Sequence, residues 1–304
     1  MTATHPPVLA IVGPTATGKT ALALRLARRF PAEVVSADSR QVYRGMDIGT
    51  AKPTPGERAA VPHHLIDVAD PDTPFSLAQY RTLALVAIAD IRARGLLALL
   101  VGGTGLYVRT VTEGLTVPAV PPDLTFRTAL EARASAEGAA ALYAELRAAD
   151  PEAVLHIEPL NLRRIIRALE VQRATGVPFS AQQRRSAPPF PVLLVGLTLP
   201  RVRLYALADQ RVDRMMAEGL LDEVRRLHAA GYGWELPSMS GIGYRQLGVY
   251  LRGEGTLPDA VQRIKFDTHA FIRRQYTWFR KAPAMRWFDA TDLDAVADEV
   301  AGLL

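Results

Sequence analysis

Gly13-Pro-Thr-Ala-Thr-Gly-Lys-Thr20 fits the pattern G-x-x-x-x-G-K-[ST]. Val8-Leu-Ala-Ile-Val12 precedes it, an apolar run of strand length, and Ala21-Leu-Ala-Leu-Arg-Leu-Ala-Arg-Arg29 follows, rich in helix formers. Strand, glycine loop and helix form the context of a phosphate-binding loop. Such a loop turns backbone N–H groups toward phosphate oxygens, and the helix N-terminus adds partial positive charge. We therefore expect Gly13, Pro14, Thr15, Ala16, Thr17, Gly18, Lys19 and Thr20 to bind a diphosphate or triphosphate. Lys19 supplies a full charge and Thr20 a hydroxyl for Mg²⁺. The pattern does not say which molecule carries the phosphates.

Around that loop the chain reads as an α/β protein of the P-loop type. Glu33-Val-Val-Ser-Ala37 is β-prone and ends at Asp38-Ser39-Arg40-Gln41. Residues just past the carboxyl end of a strand line the ligand crevice of an α/β sheet, so Asp38 should face the same crevice as the loop. There a carboxylate can accept a proton from a nucleophile or hold Mg²⁺ through water; a turn or capping role is the bland alternative. His63 to Asp67 reads as a short strand, and Phe75 to Arg94 as a helix capped by Ser76. Leu96-Leu-Ala-Leu-Leu-Val101 is continuously apolar, as a central parallel strand should be. It ends in Gly102-Gly-Thr-Gly105 and carries no acidic residue. A P-loop ATPase or GTPase usually places its Mg²⁺-holding aspartate there, so a generic motor or switch is disfavoured. Thr104 could hydrogen-bond a substrate or simply close a tight turn.

Three segments are expected: a first part of the core over 1–117, a helical insertion over 118–191, and 192–304 returning to the core with one strand and then helices. Pro118 to Pro122 reads as a linker. Leu124 to Ala149 and Asn161 to Thr175 have helical periodicity, the latter with Arg163, Arg164, Arg167 and Arg173; Arg184 and Arg185 follow. Arg163 or Arg164 shares a helix face with Arg167, which suits a phosphate backbone or is simply a solvated face. Val192 to Leu199 is strand-like. Leu204 to Ala230 reads as a helix breakable at Gly219, Ser240 to Gln246 as a loop opening a helix, Ala260 to Lys281 as a long helix, and Asp289 to Leu304 as a closing one. Arg211 could clamp a leaving diphosphate or pair with Asp213. Arg273-Arg-Gln-Tyr-Thr-Trp-Phe-Arg280 interleaves bases and rings, suited to nucleic acid or to an amphipathic helix with Tyr276 and Phe279 inward.

The chain has 304 residues, 49% of them hydrophobic, a formal charge of +5 and no cysteine. That leaves no disulfide, cysteine-held zinc or thiol nucleophile. The six histidines show no metal-ligand spacing, so no transition metal is assigned. The apolar run from Gly95 to Gly103 is too short to span a bilayer. With the first strand at Val8, no signal peptide is expected, and a cytoplasmic monomer without membrane contact is the expectation.

Several of these motifs together resemble the bacterial tRNA dimethylallyltransferases: the loop Gly13–Thr20, the stretch from Asp38 to Pro53, and Val101 to Tyr107. So do Arg167 to Val171, Gln210 to Asp213, Gly243-Tyr-Arg-Gln246 and Arg274 to Arg280, in the same order. The resemblance implies transfer of a prenyl group from dimethylallyl diphosphate to N6 of the adenine directly 3′ of the anticodon, in tRNAs reading codons that begin with U. It implies Asp38 as general base, Thr104 beside the reacting base, and Lys19, Thr20 and Arg211 on the diphosphate, with Mg²⁺ at Thr20. It implies tRNA contacts at Asp38, Ser39, Arg40, Gln41, Thr104 and Arg127. The arginines Arg163, Arg164 and Arg167 would grip the anticodon stem-loop, with Gly243, Tyr244, Arg245, Gln246 and Arg274 on the C-terminal helices. No protein partner is expected. Asn161 stands where the family more often has aspartate, and the zinc finger of eukaryotic relatives is not expected. The rivals are a small-molecule P-loop kinase, an adenylate prenyltransferase, and a non-catalytic RNA-binding protein that keeps the loop as an anion site.

Overall fold

The computed structural model describes residues 6–183, 185–282 and 284–304; Arg184 lies outside them. Six strands form one parallel sheet: β1 (Val8–Val12), β2 (Ala32–Ser36), β3 (His63–His64), β4 (Leu97–Gly102), β5 (Val192–Thr198) and β6 (Arg286–Asp289), in the order β3-β2-β4-β1-β5-β6. β1 and β4 are buried along their whole length, as their unbroken apolar sequences require. In register, Val12 faces Gly102 across β1 and β4, and Ser36 faces Val101 across β2 and β4. The carboxyl ends of β2, β4 and β1 therefore lie side by side. Asp38, Thr104 and the phosphate loop all follow those three ends.

The chain divides into two compact units. The first holds the described residues up to Phe75, with Tyr80–Thr112 and Pro188–Leu304; the second holds Ser76–Gln79 and Glu113–Ala187. The first is built on the sheet, with Leu9, Ile11, Leu22, Leu26, Leu99 and Leu197 in its core. The second is helical, with its own core of Leu130, Leu142, Leu146, Ile157, Ile165 and Leu169.

Three expectations need correction. The strand at His63 stops after two residues, because Leu65 and Asp67 adopt positive φ (63° and 59°) and leave the extended region. The segment Leu124 to Ala149 is two helices, Leu124–Glu137 and Ala139–Ala149, parted by Gly138 at φ 87°. β6 is an unforeseen strand ahead of the closing helix Leu293–Ala301. Four residues of mixed polarity, Arg-Trp-Phe-Asp, carry too little alternation to announce a strand. The break foreseen at Gly219 is present, with φ 99° between the helices Arg201–Ala217 and Leu220–Ala229.

In the second unit, a buried carboxylate organises the arginines. Glu170 accepts from Arg127 Nε and Nη2, both at 2.8 Å, from the backbone N–H of Asp123 at 2.7 Å, and from Arg167. Arg167 also donates to the carbonyl of Val120 at 2.9 Å. Burial alone would raise the Glu170 carboxyl, but these donors override it and hold it at about 2. With its pKa depressed on folding, Glu170 contributes stability that is full above the ordinary glutamate value and fades as pH falls through about 2. Glu170→Gln should therefore lower stability at pH 7 by about 2–3 kcal/mol. Denaturant melts of variant and parent should converge as pH approaches 2; a pH-independent difference would contradict this account.

Candidate active site

The loop after β1 has the backbone that its glycines permit. Gly13 has φ 141° and Gly18 φ 84°, and Ala16 sits at φ 65°. A Cβ on Gly13 would lie 2.6 Å from the carbonyl oxygen of Leu197 on β5, so the loop can leave the sheet only with glycine there. Thr17 Oγ1 donates to the Pro14 carbonyl at 2.9 Å and closes the turn. The helix Lys19–Ala27 begins directly after, so Lys19 and Thr20 occupy its first turn.

Four further elements supply the rest of the site. Asp38 follows β2, and its Oδ1 accepts the backbone N–H of Arg40 at 2.8 Å, fixing the turn. Thr104 follows β4: its N–H donates to Ala37 O at 3.1 Å, and its Oγ1 accepts the Ser39 N–H at 3.0 Å. A Cβ on Gly102 would fall 2.2 Å from Ala37 O, so glycine is what lets the two turns close on each other. Arg211 comes from the helix Arg201–Ala217 and donates through Nη1 to Thr15 Oγ1 at 3.0 Å. Gln275 comes from the helix Leu257–Phe279; its Oε1 accepts the Thr15 N–H at 2.9 Å, and its Nε2 donates to Gly103 O at 3.0 Å.

These charges act on one another. Burial, joined by the nearby Arg211, lowers Lys19 to about 7 against the opposing pull of Asp38. Arg211 is lowered by burial too, and Asp38 again opposes. Two cations and one carboxylate thus share a crevice with an unmet demand for negative charge. An incoming diphosphate would satisfy it and raise Lys19. Above pH 7, binding must then take up a proton, so affinity should fall as pH rises. Calorimetry of donor binding at pH 8, in two buffers of different ionisation enthalpy, should show uptake approaching one proton that disappears in Lys19→Met. No uptake in the parent would contradict the assignment.

The stretch from Asp38 to Pro53 is a braced loop. Lys52, its side chain 2% exposed, donates to Tyr43 O at 2.6 Å, Asp47 Oδ1 at 2.7 Å and Asp67 Oδ1 at 2.5 Å. The buried carboxylate of Glu223 accepts from the backbone N–H groups of Asp47, Ile48 and Gly49 at 2.9, 2.8 and 3.1 Å, and from Tyr244 Oη at 2.6 Å.

The residues expected to touch RNA separate accordingly. Ser39 and Thr104 lie together beside Asp38. Arg40 is committed to the carbonyls of Pro237 and Ser238 and to Ser240 Oγ. Gln41 joins Ser36 Oγ to the carbonyls of Thr50 and Ala51. Tyr244 and Gln246 need correction: both are buried, Tyr244 on Glu223 and Gln246 between the Gly243 N–H and Asp267, so their side chains hold the fold. Gly243, at φ 95°, opens the helix Tyr244–Leu251. Arg245 is exposed and pairs with Asp267 at 2.8 Å. Arg274 is exposed on the helix Leu257–Phe279 and lies over the Phe271 ring. Arg163 and Arg164 are exposed in the second unit, where Asn161 caps their helix by accepting the Arg164 N–H at 3.3 Å. Arg127 and Arg167 share Glu170 and keep partly exposed side chains.

Gln275 and Glu223 were not singled out from sequence. Gln275 lies inside a quoted motif but was hidden by its basic and aromatic neighbours. Glu223 had a signal: with Leu220, Val224 and Leu227 it forms one buried helix face, where a lone acid must find donors.

Among the described residues, no group of three or more histidine, cysteine, aspartate or glutamate side chains is placed to hold a metal. The Thr20 hydroxyl lies in the first turn after the loop, and the charge of the Asp38 carboxylate is felt at Lys19. Such a sparse oxygen set fits Mg²⁺, which keeps several waters and binds largely through substrate phosphates. No described helix is long and apolar enough to cross a membrane.

Known proteins share this architecture. A family model described as IPP transferase matches residues 41–282, and one described as isopentenyl transferase matches residues 6–66. The chain is 59% identical over 293 residues to a protein of Roseiflexus sp. (strain RS-1) named tRNA dimethylallyltransferase, with 96% of each chain covered. The crystal structure of a tRNA isopentenylpyrophosphate transferase from Bacillus halodurans superposes with a TM-score of 0.72 at 42% identity, covering 97% of this chain and 96% of that one. A eukaryotic dimethylallyltransferase, described as acting on tRNA, superposes with a TM-score of 0.81 at 28% identity, covering 97% of this chain and 77% of that one. The chain belongs to the IPP transferase family.

Proposed function

We propose that this protein is a tRNA dimethylallyltransferase. It moves the five-carbon group of dimethylallyl diphosphate to N6 of the adenosine directly 3′ of the anticodon, in tRNAs reading codons that begin with U. The observation that carries the mechanism is the convergence of Lys19, Arg211 and Asp38 at the carboxyl ends of three neighbouring strands.

The phosphate loop, Lys19 and Arg211 bind the diphosphate and stabilise the charge it gains as the carbon–oxygen bond breaks. The adenine N6 forms the new bond to carbon. An exocyclic amine conjugated to the ring is a weak nucleophile, so Asp38 accepts the proton it sheds. Thr104, held against Ser39, orients the base. Mg²⁺, held by Thr20 and substrate oxygens, would add counter-charge to the diphosphate. An adenine in a stacked loop must be splayed out to enter the crevice. The exposed arginines Arg163, Arg164, Arg245 and Arg274 supply contacts to RNA phosphates. In this reading Ser39 and Gly243 of the first unit and Arg127 and Arg167 of the second are further RNA contacts, and Arg40 and Gln41 brace the loop beside Asp38.

An acceptor series tests this reading. An anticodon stem-loop with adenosine after the anticodon should gain one prenyl group by mass. The same loop with purine riboside at that position lacks the N6 amine and should gain none, and free adenosine monophosphate should react poorly. Prenylation of the mononucleotide in preference to the stem-loop would support the adenylate prenyltransferase instead.

A further inference from the structure

Gln275 is 4% exposed on a helix that turns its neighbours Arg274 and Trp278 outward. Its carboxamide spans two parts of the site. Oε1 accepts the N–H of Thr15 in the diphosphate loop at 2.9 Å, and Nε2 donates to the carbonyl of Gly103 at 3.0 Å. An N–H on one side and a carbonyl on the other require a group that both accepts and donates at this reach. Among side chains of this length, an amide meets both demands. An ionised glutamate keeps the first contact and sets a carboxylate against the Gly103 carbonyl; methionine makes neither.

The surrounding residues are cut to fit this bridge. A Cβ on Gly103 would lie 2.3 Å from Nε2, so glycine makes the space. Thr15 is fixed a second time where Arg211 donates to its hydroxyl at 3.0 Å. The residue after Gly103 is Thr104, whose N–H and hydroxyl bond Ala37 and Ser39 on either side of Asp38. A continuous path therefore runs from the diphosphate loop through one carboxamide to the turn that flanks the base.

We propose that Gln275 is a positioning residue that holds the diphosphate loop and the Thr104 turn at the separation the transfer requires. This rests on the reading of the site as a prenyl-diphosphate and RNA site. Gln275 touches no reacting atom. Its effect is on geometry, where misplacement by about 1 Å can cost ~100-fold in rate.

The test uses Gln275→Met and Gln275→Glu in single-turnover prenyl transfer, with enzyme in excess over the stem-loop and dimethylallyl diphosphate saturating. Lost folding lowers the amplitude, whereas lost positioning lowers the rate constant. We expect the rate constant of both variants to fall about 10–100-fold, with stem-loop Kd within twofold of the parent. A rate constant within twofold of the parent in either folded variant would overturn the proposal. Hydrogen exchange of the segments 13–20 and 103–107 reports the bridge without catalysis: both should exchange faster in Gln275→Met, and unchanged exchange in both would overturn it. A parent that makes no prenylated product yet shows this exchange difference would refute the prenyl-transfer reading while leaving the bridge standing.

Discussion

Asp38→Asn should lower kcat for prenyl transfer by about 10²–10⁴-fold while stem-loop affinity stays within a few-fold. Asparagine is nearly the same shape, and its side-chain oxygen can still accept the Arg40 N–H that Asp38 Oδ1 accepts at 2.8 Å. The turn should therefore survive. What is lost is the proposed proton acceptor, together with the negative charge that opposes burial at Lys19 and Arg211. Single-turnover rates and stem-loop titrations, made side by side, separate the two roles. A variant with unchanged rate would remove Asp38 as the base. A variant that bound RNA poorly but reacted at the normal rate when saturated would make Asp38 an RNA contact alone.

The second large effect is expected at the other end of the reaction. Lys19→Ala should lower kcat by about 10²–10³-fold, the range for losing one preorganised charge at a developing anion. Lys19 occupies the first turn of its helix and donates to the Pro14 carbonyl at 2.7 Å, within the loop. It therefore needs little rearrangement to meet a diphosphate. Arg211→Ala should produce a related loss, with additional disorder in the loop because Thr15 Oγ1 loses its donor. On the proposed reading, in which both cations act on one leaving group, the double variant should lose less than the product of the two single effects. A product of losses that is fully multiplicative would mean that the two groups act on separate charges. A prenyl donor carrying a better leaving group should recover more activity in Lys19→Ala than in Asp38→Asn.

Much of this site was legible in the sequence because its chemistry sits where local rules are strong. A glycine loop between an apolar strand and a helix has few other uses, and a polar residue just past a strand end has few other places to face. Those two rules place Lys19, Asp38 and Thr104 together from sequence alone. β6 was missed because a short edge strand draws its order from β5 rather than from its own pattern. Tyr244 and Gln246 were misread for a related reason. A polar side chain in a motif can serve substrate or scaffold, and only the placement of Glu223 and Asp267 decides. Arg127 and Arg167 show the same ambiguity in the second unit: the resemblance implies RNA contact for both, and both meet the buried Glu170. The common cause is that a buried acid selects its partners through tertiary packing, which a single sequence does not display.

The most direct measurement is one incubation of the purified protein with Mg²⁺, dimethylallyl diphosphate and an anticodon stem-loop carrying adenosine after the anticodon, followed by mass spectrometry of the RNA. A parallel tube contains ATP in place of the prenyl donor and a panel of small phosphate acceptors. A prenyl mass gained at that adenosine, with ATP unconsumed, is expected. An unmodified RNA alongside phosphate transferred from ATP to a small molecule would contradict it and make the protein a kinase.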